Sequence, residues 1–395
     1  MDERIRTSQF VRNKALRYWM DNWGVKLYDL NKYCAVLAKE FEWADKLNSM
    51  ARQASAERAA FAIKRFYANC KAKKQGLKGY PRFKKNTHSV EYKTSGWKLS
   101  SDKRSIAFTD GFKAGSFQLI GSRDLHYYAL AEIKRVRVVR RADGYFCQLC
   151  IDAERNIQVE PTGKAVGIDV GLKVFYADSD GEMVENPRHI RKAEKGLKRT
   201  QRRVSKRKKG SKNRRKAIRR LGKKHLKVSR RRKDFAVKTA RALVLSRDFI
   251  AYEDLKVSNL VKNHKLAKSI SDVAWLQFRQ WLEYLSKVYG KVAVAVPPHH
   301  TSTDCSKCGT TVKKTLSTRT HVCPKCGTVL DRDHNAAINI LIKALRQASI
   351  DLSTVGHTGT NAWGQLDLCL GGETPSGKPS GKTNRKARSS QESHA

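Results

Sequence analysis

Residues 305–337 read CSKCGTTVKKTLSTRTHVCPKCGTVLDRDHNAA, and this stretch decides the fold of the C-terminal part of the chain. Two Cys-x-x-Cys pairs separated by fourteen residues give four soft sulfur ligands at the spacing of a structural zinc ribbon. Gly309 and Gly327 follow the second cysteine of each pair, where a metal knuckle turns tightly. Four unrelated free thiols are the alternative. We predict one structural Zn²⁺ with these ligands: Cys305, Cys308, Cys323 and Cys326.

Two other stretches place a carboxylate in an apolar strand. Residues 165–171 read AVGIDVG and contain Asp169, and residues 249–255 read FIAYEDL and contain Glu253. A carboxylate in a buried strand is costly unless it is paired or binds a metal ion. We expect Asp333 to open the helix after the ribbon, with a simple helix N-cap as its alternative role. The order strand, strand, helix predicts a ribonuclease H-like core whose acids hold two Mg²⁺ ions for phosphodiester hydrolysis.

The charge of the chain points to a polyanionic partner. Its 395 residues include 82 Lys and Arg against 36 Asp and Glu, which gives a formal net charge of +46. Such an excess disfavours a compact state unless an anion neutralises it, and nucleic acid does so with release of counterions. A membrane surface is the alternative, but no lipidation motif or apolar anchor accompanies the charge.

Localisation follows from what the sequence lacks. No apolar run approaches the roughly 18 residues of a bilayer span. The N-terminus has no apolar core of a signal peptide. We therefore expect a prokaryotic protein of the cytoplasm, associated with the nucleoid when bound to DNA, whose cysteines are reduced or metal-bound.

The densest charge lies in residues 191–233, where 24 of 43 residues are Lys or Arg and Glu194 is the only acid. Sparse apolar residues interrupt this run at roughly helical spacing, and we expect the helix to break at Gly210-Ser211. The pattern predicts a helical hairpin that packs on the protein and turns its charge toward nucleic acid. The expected contacts are Arg202, Arg203, Arg214, Arg215 and Arg219.

The N-terminal half changes from helix to strand. Residues 8–74 have helical periodicity, whereas residues 89–155 read as short strands with a hairpin turn at Asp143-Gly144. We predict a basic surface here, with a solvated charged face as the alternative. The expected nucleic-acid contacts are Arg82, Lys84, Lys93, Lys98, Arg135 and Arg137. The aromatic residues expected to stack on bases are Tyr80, Phe83, Tyr92 and Trp97.

Three further stretches receive simpler interpretations. Cys147 and Cys150 are also spaced as Cys-x-x-Cys, but a strand directs such side chains to opposite faces, so we expect buried structural cysteines. Residues 272–289 predict an amphipathic helix. After about residue 352 the composition predicts disorder. Buried structural cysteines are also expected at Cys34, Cys70 and Cys369.

The motifs together resemble the TnpB (OrfB) family, which insertion sequences encode and which is related to type V CRISPR effectors. The resemblance rests on the zinc ribbon, on Thr301-Ser302, and on the sequences GIDVG (167–171), YEDL (252–255), SISD (269–272) and DRDHNAA (331–337). It covers roughly residues 10–345.

The resemblance implies an RNA-guided DNA endonuclease. A guide RNA (ωRNA) from the transposon end would pair with double-stranded target DNA beside a transposon-adjacent motif, and a RuvC-like domain would cut both strands. Asp169, Glu253 and Asp333 match the catalytic acids that bind two Mg²⁺, with Asp331 as a rival for the third. The four cysteines match the zinc ligands, and the protein would be a monomer or weak dimer.

The implied fold class is α/β, with a RuvC-like core and a four-Cys zinc ribbon insertion. A helical and β-barrel (wedge-like) half in residues 1–160 would bind RNA and the adjacent motif. The remaining expected segments are the nuclease core in 161–298, the ribbon in 299–330, the last helix in 331–352 and a disordered tail in 353–395.

The sequence departs from the family at its start and leaves other functions open. Family members usually begin with a basic strand, but this chain begins Met1-Asp2-Glu3-Arg4-Ile5, so we expect the wedge barrel to lack one strand, with a wrongly assigned start codon as the alternative. The alternatives are an RNA-guided DNA-binding protein without nuclease activity, a transposition accessory protein and a small CRISPR effector. A tyrosine transposase is disfavoured because the His-hydrophobe-His pattern is missing.

Overall fold

The computed structural model describes the chain in two compact units. The described residues are 1–121, 124–315 and 317–348. Unit 1 contains residues 1–154 and 197–226, and unit 2 contains residues 155–196 and the described residues from 227 onward. The expectations for the tail 353–395 and for Cys369 lie outside the described residues. Within the described part, no helix is long and apolar enough to cross a membrane.

Helices open unit 1, as the periodicity of residues 8–74 predicts. Their bounds are α1 (Asp2–Asp21), α2 (Leu27–Glu40), α3 (Glu42–Asp45) and α4 (Ser49–Lys71). Helix α1 begins earlier than predicted because its first turn is buried against the strands that follow. There, Arg4 Nε donates to Asp110 Oδ2 at 2.6 Å, and both side chains are almost fully buried. This ion pair fixes the start of the helix on the sheets of unit 1.

The strands of unit 1 are β1 (Ser89–Lys93), β2 (Trp97–Leu99), β3 (Ser105–Phe108), β4 (Ser116–Gln118), β5 (Ile133–Arg141) and β6 (Gly144–Ile151). Strands β1, β5 and β6 form one antiparallel sheet, and β2, β3 and β4 form another. The predicted turn at Asp143-Gly144 is confirmed. Tyr92 and Trp97 are buried in the apolar core that both sheets share, so the prediction that they stack on bases is wrong. The β-barrel itself stays a prediction.

The basic segment forms the predicted helical hairpin. Helix α5 spans His189–Ser205 and helix α6 spans Lys212–Ser246, with Gly210 between them at φ 83°. Arg214 Nη1 donates to the carbonyl oxygens of Val204 and Arg207 at 3.1 and 2.8 Å and so fixes the turn. Helix α6 runs beyond the predicted end at residue 233 because its last turns pack on the core of unit 2.

A mixed sheet forms the centre of unit 2. Its strands are β7 (Ala165–Val170), β8 (Val174–Asp178), β9 (Met183–Glu185), β10 (Phe249–Glu253) and β11 (Val292–Val296). The order across the sheet is β11-β10-β7-β8-β9. Strands β7, β10 and β11 run parallel, whereas β8 and β9 are each antiparallel to the preceding strand. The predicted apolar strands around Asp169 and Glu253 are therefore neighbours.

The other elements of unit 2 are α7 (Val257–Leu260), α8 (Ala267–Val273), α9 (Trp275–Val288), β12 (Thr320–Val322), β13 (Val329–Asp331) and α10 (Arg332–Gln347). Alternate residues of the central strands pack on opposite layers. Val166, Ile168 and Ile250 share a core with α6, α8 and α9. Ala165 and Phe249 share a core with α10 on the other face.

The single helix predicted over residues 272–289 is wrong, because the chain divides it into α8 and α9. Ala274 lies between the two helices with φ 60° and ψ 42°, a left-handed conformation that ends one helix before the next begins. Asp272 therefore lies in the last turn of α8. Both of its carboxylate oxygens accept from Ile190 N at 2.9 Å, which holds the start of α5.

Helix α10 lies directly on strand β7 at Gly167. A Cβ atom at this glycine would lie 2.1 Å from the carbonyl oxygen of Ala337 and 2.7 Å from the nitrogen of Leu341. Four residues further along the chain, just past the end of β7, a Cβ at Gly171 would lie 4.0 Å from Asp333 Oδ2. The helix therefore runs opposite to β7, and its first turn lies over the carboxyl end of that strand.

Candidate active site

The fold brings the three predicted acids to one edge of the sheet. Asp169 is the penultimate residue of β7, and Glu253 is the last residue of the parallel neighbour β10. Their alternation with Ala165 and Ala251 places both side chains on the face that α10 covers. Asp333 lies in the first turn of α10, above the same edge. Residues far apart in the sequence therefore form one acidic site.

The electrostatics of the acids favour a bound cation. Burial, followed by the charges of Glu253 and Asp333, raises the pKa of Asp169 well above its ordinary value. Burial also raises the pKa of Glu253, although a hydrogen bond from the Thr301 hydroxyl and the charge of Lys343 oppose this shift. Oxygen ligands crowded at a partly buried edge suit Mg²⁺, because the ion relieves their mutual repulsion. The residue types are therefore compatible with the expected metal, whose binding by these acids stays a prediction.

Two arginines that the sequence did not single out lie on the third acid. Arg332 donates to Asp333 Oδ1 from Nε at 2.9 Å and from Nη2 at 2.7 Å. Arg319 Nη1 lies 3.3 Å from Asp333 Oδ2. Both guanidinium groups add positive charge beside the acids. No sequence motif links Arg319 to this edge, because it reaches the acid from the ribbon.

Asp331 and Asp333 have different local roles. The Asp331 side chain accepts from the backbone nitrogens of Asp333 at 2.8 Å and His334 at 3.4 Å, and so caps α10. Helix α10 begins at Arg332, so the expectation that Asp333 opens it is wrong. The N-cap role weighed for Asp333 belongs to Asp331, whose extended backbone suits a cap. The carboxylate of Asp333 is left to face the other acids.

The four cysteines of the predicted ribbon lie together. Their sulfur atoms all lie within 4.8 Å of one another, with 3.6 Å between Cys305 and Cys326 and 3.5 Å between Cys308 and Cys323. Sulfurs bound tetrahedrally at about 2.3 Å from zinc would lie roughly 3.8 Å apart, so the cluster fits Zn²⁺. The Thr328 hydroxyl, 3.1 Å from Cys326 Sγ, lowers the pKa of Cys326 to about 6, which favours the thiolate ligand.

Backbone geometry confirms the two knuckles. The nitrogen of Gly309 donates to the carbonyl of Cys305 at 2.8 Å, and that of Gly327 donates to Cys323 at 3.0 Å. Both glycines have positive φ, 74° and 68°, as the tight turns require. Strands β12 and β13 pair beside the second knuckle.

Among the described residues, the cysteines outside the ribbon do not belong to this cluster. Cys147 and Cys150 lie on opposite faces of β6, as expected. Cys147 packs against the core, and burial raises its pKa to about 11. Cys150 is exposed, so the prediction that it is buried is wrong, because the outer face of β6 carries no covering layer over that residue. Cys34 is buried as predicted, whereas Cys70 is only half-buried.

Three of the predicted nucleic-acid contacts in unit 1 take part in ion pairs. Lys93 Nζ lies 2.5 Å from Glu57 Oε1, and Arg135 Nη1 lies 2.9 Å from both Glu57 and Glu91. Arg137 Nε donates to Glu91 Oε2 at 2.8 Å. Glu91 is 5% exposed, so these pairs compensate a buried charge and join α4, β1 and β5. Their role in nucleic-acid binding stays a prediction.

The other predicted contacts differ in exposure. Arg214 is half-buried in the turn of the hairpin. The exposed ones are Arg82, Lys84, Lys98, Arg202, Arg203, Arg215 and Arg219. Tyr80 and Phe83, predicted to stack on bases, are about half exposed. These side chains are accessible to a phosphate backbone.

Comparison with known proteins identifies the family. Residues 148–264 match the model OrfB_IS605, described as "Probable transposase", and residues 275–340 match the model "Cas12f1-like, TNB domain". A Streptomyces pristinaespiralis protein named "Putative RNA-guided DNA endonuclease" is 38% identical over 283 residues, which cover 71% of this chain and 68% of that protein. The chain belongs to the TnpB (OrfB) family. The predicted resemblance is thus confirmed.

Other similarities agree with membership of the TnpB family. "Putative RNA-guided DNA endonuclease InsQ" of Escherichia coli K12 is 29% identical over 357 residues, 84% of this chain and 85% of that protein. A solved structure described as "Cryo-EM structure of the Cas12f1-sgRNA-target DNA complex" matches with a TM-score of 0.53 and 17% identity. The match covers 86% of this chain and 81% of that chain. It shows that this TnpB-family chain has a mixed α/β fold like that of Cas12f1.

Proposed function

We propose that this chain is an RNA-guided DNA endonuclease of an insertion sequence, with Asp169, Glu253 and Asp333 as its catalytic acids. The observation that carries the proposal is their meeting at the carboxyl edge of two parallel strands, where burial, with the charges of Glu253 and Asp333, raises the pKa of Asp169. The names of the Streptomyces and Escherichia coli relatives support the same activity. Asp333 is preferred to Asp331 because Asp331 caps the helix.

The domain assignment follows from this proposal. Residues 161–298 and the last helix would form the RuvC-like, ribonuclease H-like core, and residues 299–330 the zinc ribbon inserted between β11 and α10. Residues 1–160 would bind the guide RNA and the transposon-adjacent motif. The hairpin within 191–233 would hold the backbone of the guide–target heteroduplex, whose sequence is read by base pairing. The Cas12f1 complex with guide RNA and target DNA supports these partners.

The proposed chemistry is hydrolysis of a phosphodiester bond that leaves 5′-phosphate and 3′-hydroxyl ends. When bound, two Mg²⁺ ions would activate the attacking water and stabilise the departing 3′ oxygen. Asp169, Glu253 and Asp333 would hold the ions, with the positive charges of Arg319 and Arg332 beside Asp333. Because the pKa values of Asp169 and Glu253 are raised, we expect cleavage to fall as the pH drops, since a protonated carboxyl binds Mg²⁺ poorly.

The proposal is tested by purifying the chain with RNA transcribed from the DNA that flanks its gene. The bound RNA is sequenced, and the complex is given Mg²⁺ and a plasmid library with randomised adjacent motifs. We expect cleavage beside one adjacent motif. The cleavage rate of Asp169→Asn should be about a thousandfold lower, because a metal ligand supplies several kcal/mol to the transition state. The variant should keep RNA-dependent DNA binding.

Two outcomes would contradict the proposal. If the chain purifies without any specific RNA, the proposed guide RNA is contradicted. If Asp169→Asn cleaves as fast as the wild type, the proposed active site is contradicted. Target binding by the wild-type chain without cleavage would favour the second candidate, an RNA-guided DNA-binding protein. The two arginines on Asp333 favour that candidate, because they already neutralise one of the acids.

A further inference from the structure

Thr301 contacts a proposed catalytic acid from the root of the ribbon. It lies five residues after β11 and is 2% exposed. Its hydroxyl donates to Glu253 Oε1 at 2.6 Å. This hydrogen bond restrains the orientation of the Glu253 carboxylate. A partner of this kind sets the orientation of a metal ligand without touching the metal.

Two buried asparagines of α10 connect Thr301 to the first zinc knuckle. Asn339 Nδ2 donates to the carbonyl oxygens of Thr301 at 2.9 Å and Asp304 at 2.7 Å. One turn earlier, Asn335 Nδ2 donates to the same Asp304 oxygen at 2.8 Å, and its Oδ1 accepts from Ser306 N at 3.0 Å. The two amides thus hold the backbone on both sides of a zinc cysteine.

We propose that Thr301 is a positioning residue for Glu253, and that Asn335 and Asn339 make its position depend on zinc binding. The inference rests on the proposed nuclease function. Hydrogen bonds run without interruption from the knuckle around Cys305 through the two amides to Thr301 and Glu253. Zinc orders this knuckle, because its ligands come together only when the loop is folded. Loss of zinc therefore releases the carbonyl groups that fix Thr301.

The first test compares Thr301→Val, which keeps the shape but loses the hydroxyl, with Thr301→Ser, which keeps the hydroxyl. Loss of such a partner typically weakens metal affinity or activity about 10–100-fold. We expect Thr301→Val to raise the Mg²⁺ concentration for half-maximal cleavage by about that factor, while Thr301→Ser stays close to the wild type. Both should keep one zinc per chain and guide-dependent DNA binding. A Thr301→Val protein with the Mg²⁺ dependence of the wild type overturns the positioning role.

A direct measurement separates this inference from the proposed function. Binding of Mn²⁺, followed by electron paramagnetic resonance in the wild type and in both Thr301 variants, needs no cleavage. If the wild type binds Mn²⁺ but does not cut, the nuclease proposal fails while the positioning role is still tested. Weaker binding in Thr301→Val alone supports the role, and equal binding in all three proteins overturns it.

The zinc dependence is tested with Cys308→Ser, which removes a zinc ligand outside residues 301–306, the segment that Asn335 and Asn339 hold by hydrogen bonds. We expect lost zinc, faster amide hydrogen exchange in residues 301–306 and a raised Mg²⁺ requirement. Asn339→Leu should raise that requirement while zinc stays bound. Adding Thr301→Val to Cys308→Ser should have little further effect, because both changes act through one network. If the increases in the Mg²⁺ requirement caused by the two changes multiply, as for independent sites, the link to zinc is overturned. The positioning role of Thr301 would not be affected by that result.

Discussion

Asp169, a proposed catalytic acid, affects the free energy of unfolding through its raised pKa. Burial, with the charges of Glu253 and Asp333, raises its pKa in the folded protein, so the folded state keeps a proton that the unfolded state has already lost. In the Mg²⁺-free protein, the free energy of unfolding should therefore fall as the pH rises from the ordinary aspartate range through the raised pKa. We expect a bound Mg²⁺ to stabilise the proposed site again.

We predict that Asp169→Asn makes the Mg²⁺-free, zinc-loaded protein more stable at neutral pH and removes the part of this pH dependence that Asp169 contributes, while the raised pKa of Glu253 leaves a smaller part of the same sign. Each kcal/mol gained should raise the melting temperature by about 2–4 °C. Thermal unfolding followed from about pH 4 to about pH 8 measures the effect. Added Mg²⁺ should raise the melting temperature of the wild type only.

Asp248 provides the control with the opposite sign. Burial alone would raise its pKa, but hydrogen bonds from Lys291 and from the nitrogen of Gly163 hold the pKa of Asp248 below its ordinary value. Its contribution is present above the unfolded pKa and lost as the pH falls. Asp248→Asn should therefore destabilise the protein at neutral pH. The same sign of change in both variants would contradict the electrostatic account.

For single residues, the sequence predicts a functional role where the residue type and its sequence pattern indicate a specific chemistry. The acids and cysteines have such patterns, and both sets come together as expected. Thr301 and Arg319 could not be assigned roles, because each meets its acid only after the ribbon folds back on the core. The burial of Tyr92 and Trp97 was missed because an aromatic residue in a short strand suits either face.

Among the elements, helix α10 shows how backbone packing positions a side chain. Its carbonyl at Ala337 approaches β7 so closely that Gly167 has no room for a Cβ atom. The same contact sets the height of the first turn, where Asp333 lies, over the carboxyl end of β7. A larger residue at position 167 must therefore move the helix and the third acid together.

We predict that Gly167→Ala destabilises the protein by about 1–3 kcal/mol, as overpacking in a core does. Cleavage should fall further than the unfolded fraction explains, because Asp333 moves with the helix. Chemical unfolding and cleavage rates at a temperature where the variant is folded measure the two effects. Gly121→Ala is the control, since a Cβ there has nothing within 4 Å. Equal behaviour of the two variants would exclude the close contact.

Element boundaries were less predictable than element types. The strands around the acids and the basic hairpin have the types that their patterns predict. The break between α8 and α9 falls on Ala274, a residue with high intrinsic helix propensity. Only tertiary packing places it in the left-handed region, so neither composition nor periodicity marks this break.

For the whole molecule, the net charge of +46 does not act uniformly. Some predicted nucleic-acid contacts are exposed, Arg137 among them, but Arg135 and Arg137 also hold the buried carboxylate of Glu91. The exposed groups are available for phosphates, and the paired groups already stabilise the fold of unit 1. The sequence could not separate these classes, because the partner Glu91 lies on another strand.

We predict that replacing the exposed hairpin arginines with Gln changes binding but not stability. If each contacts one phosphate, the slope of log affinity against log salt should fall by about 0.9 per residue, with the melting temperature unchanged. Arg135→Gln should instead destabilise the protein by about 1–3 kcal/mol, because Glu57 and Glu91 each lose a partner. Salt titration of RNA binding and thermal unfolding measure both. The set to replace is Arg202, Arg203, Arg215 and Arg219.

The contact at Gly167 also gives a way to recognise inactivated copies among related sequences. A related copy that has lost one of the three acids by mutation is easily recognised as inactivated. A copy that keeps all three acids but carries any side chain at the position of Gly167 would be counted as intact by a motif search. If the three acids are catalytic, as proposed, the missing space beneath α10 predicts that such a copy does not cleave DNA, because its third acid is displaced from the other two.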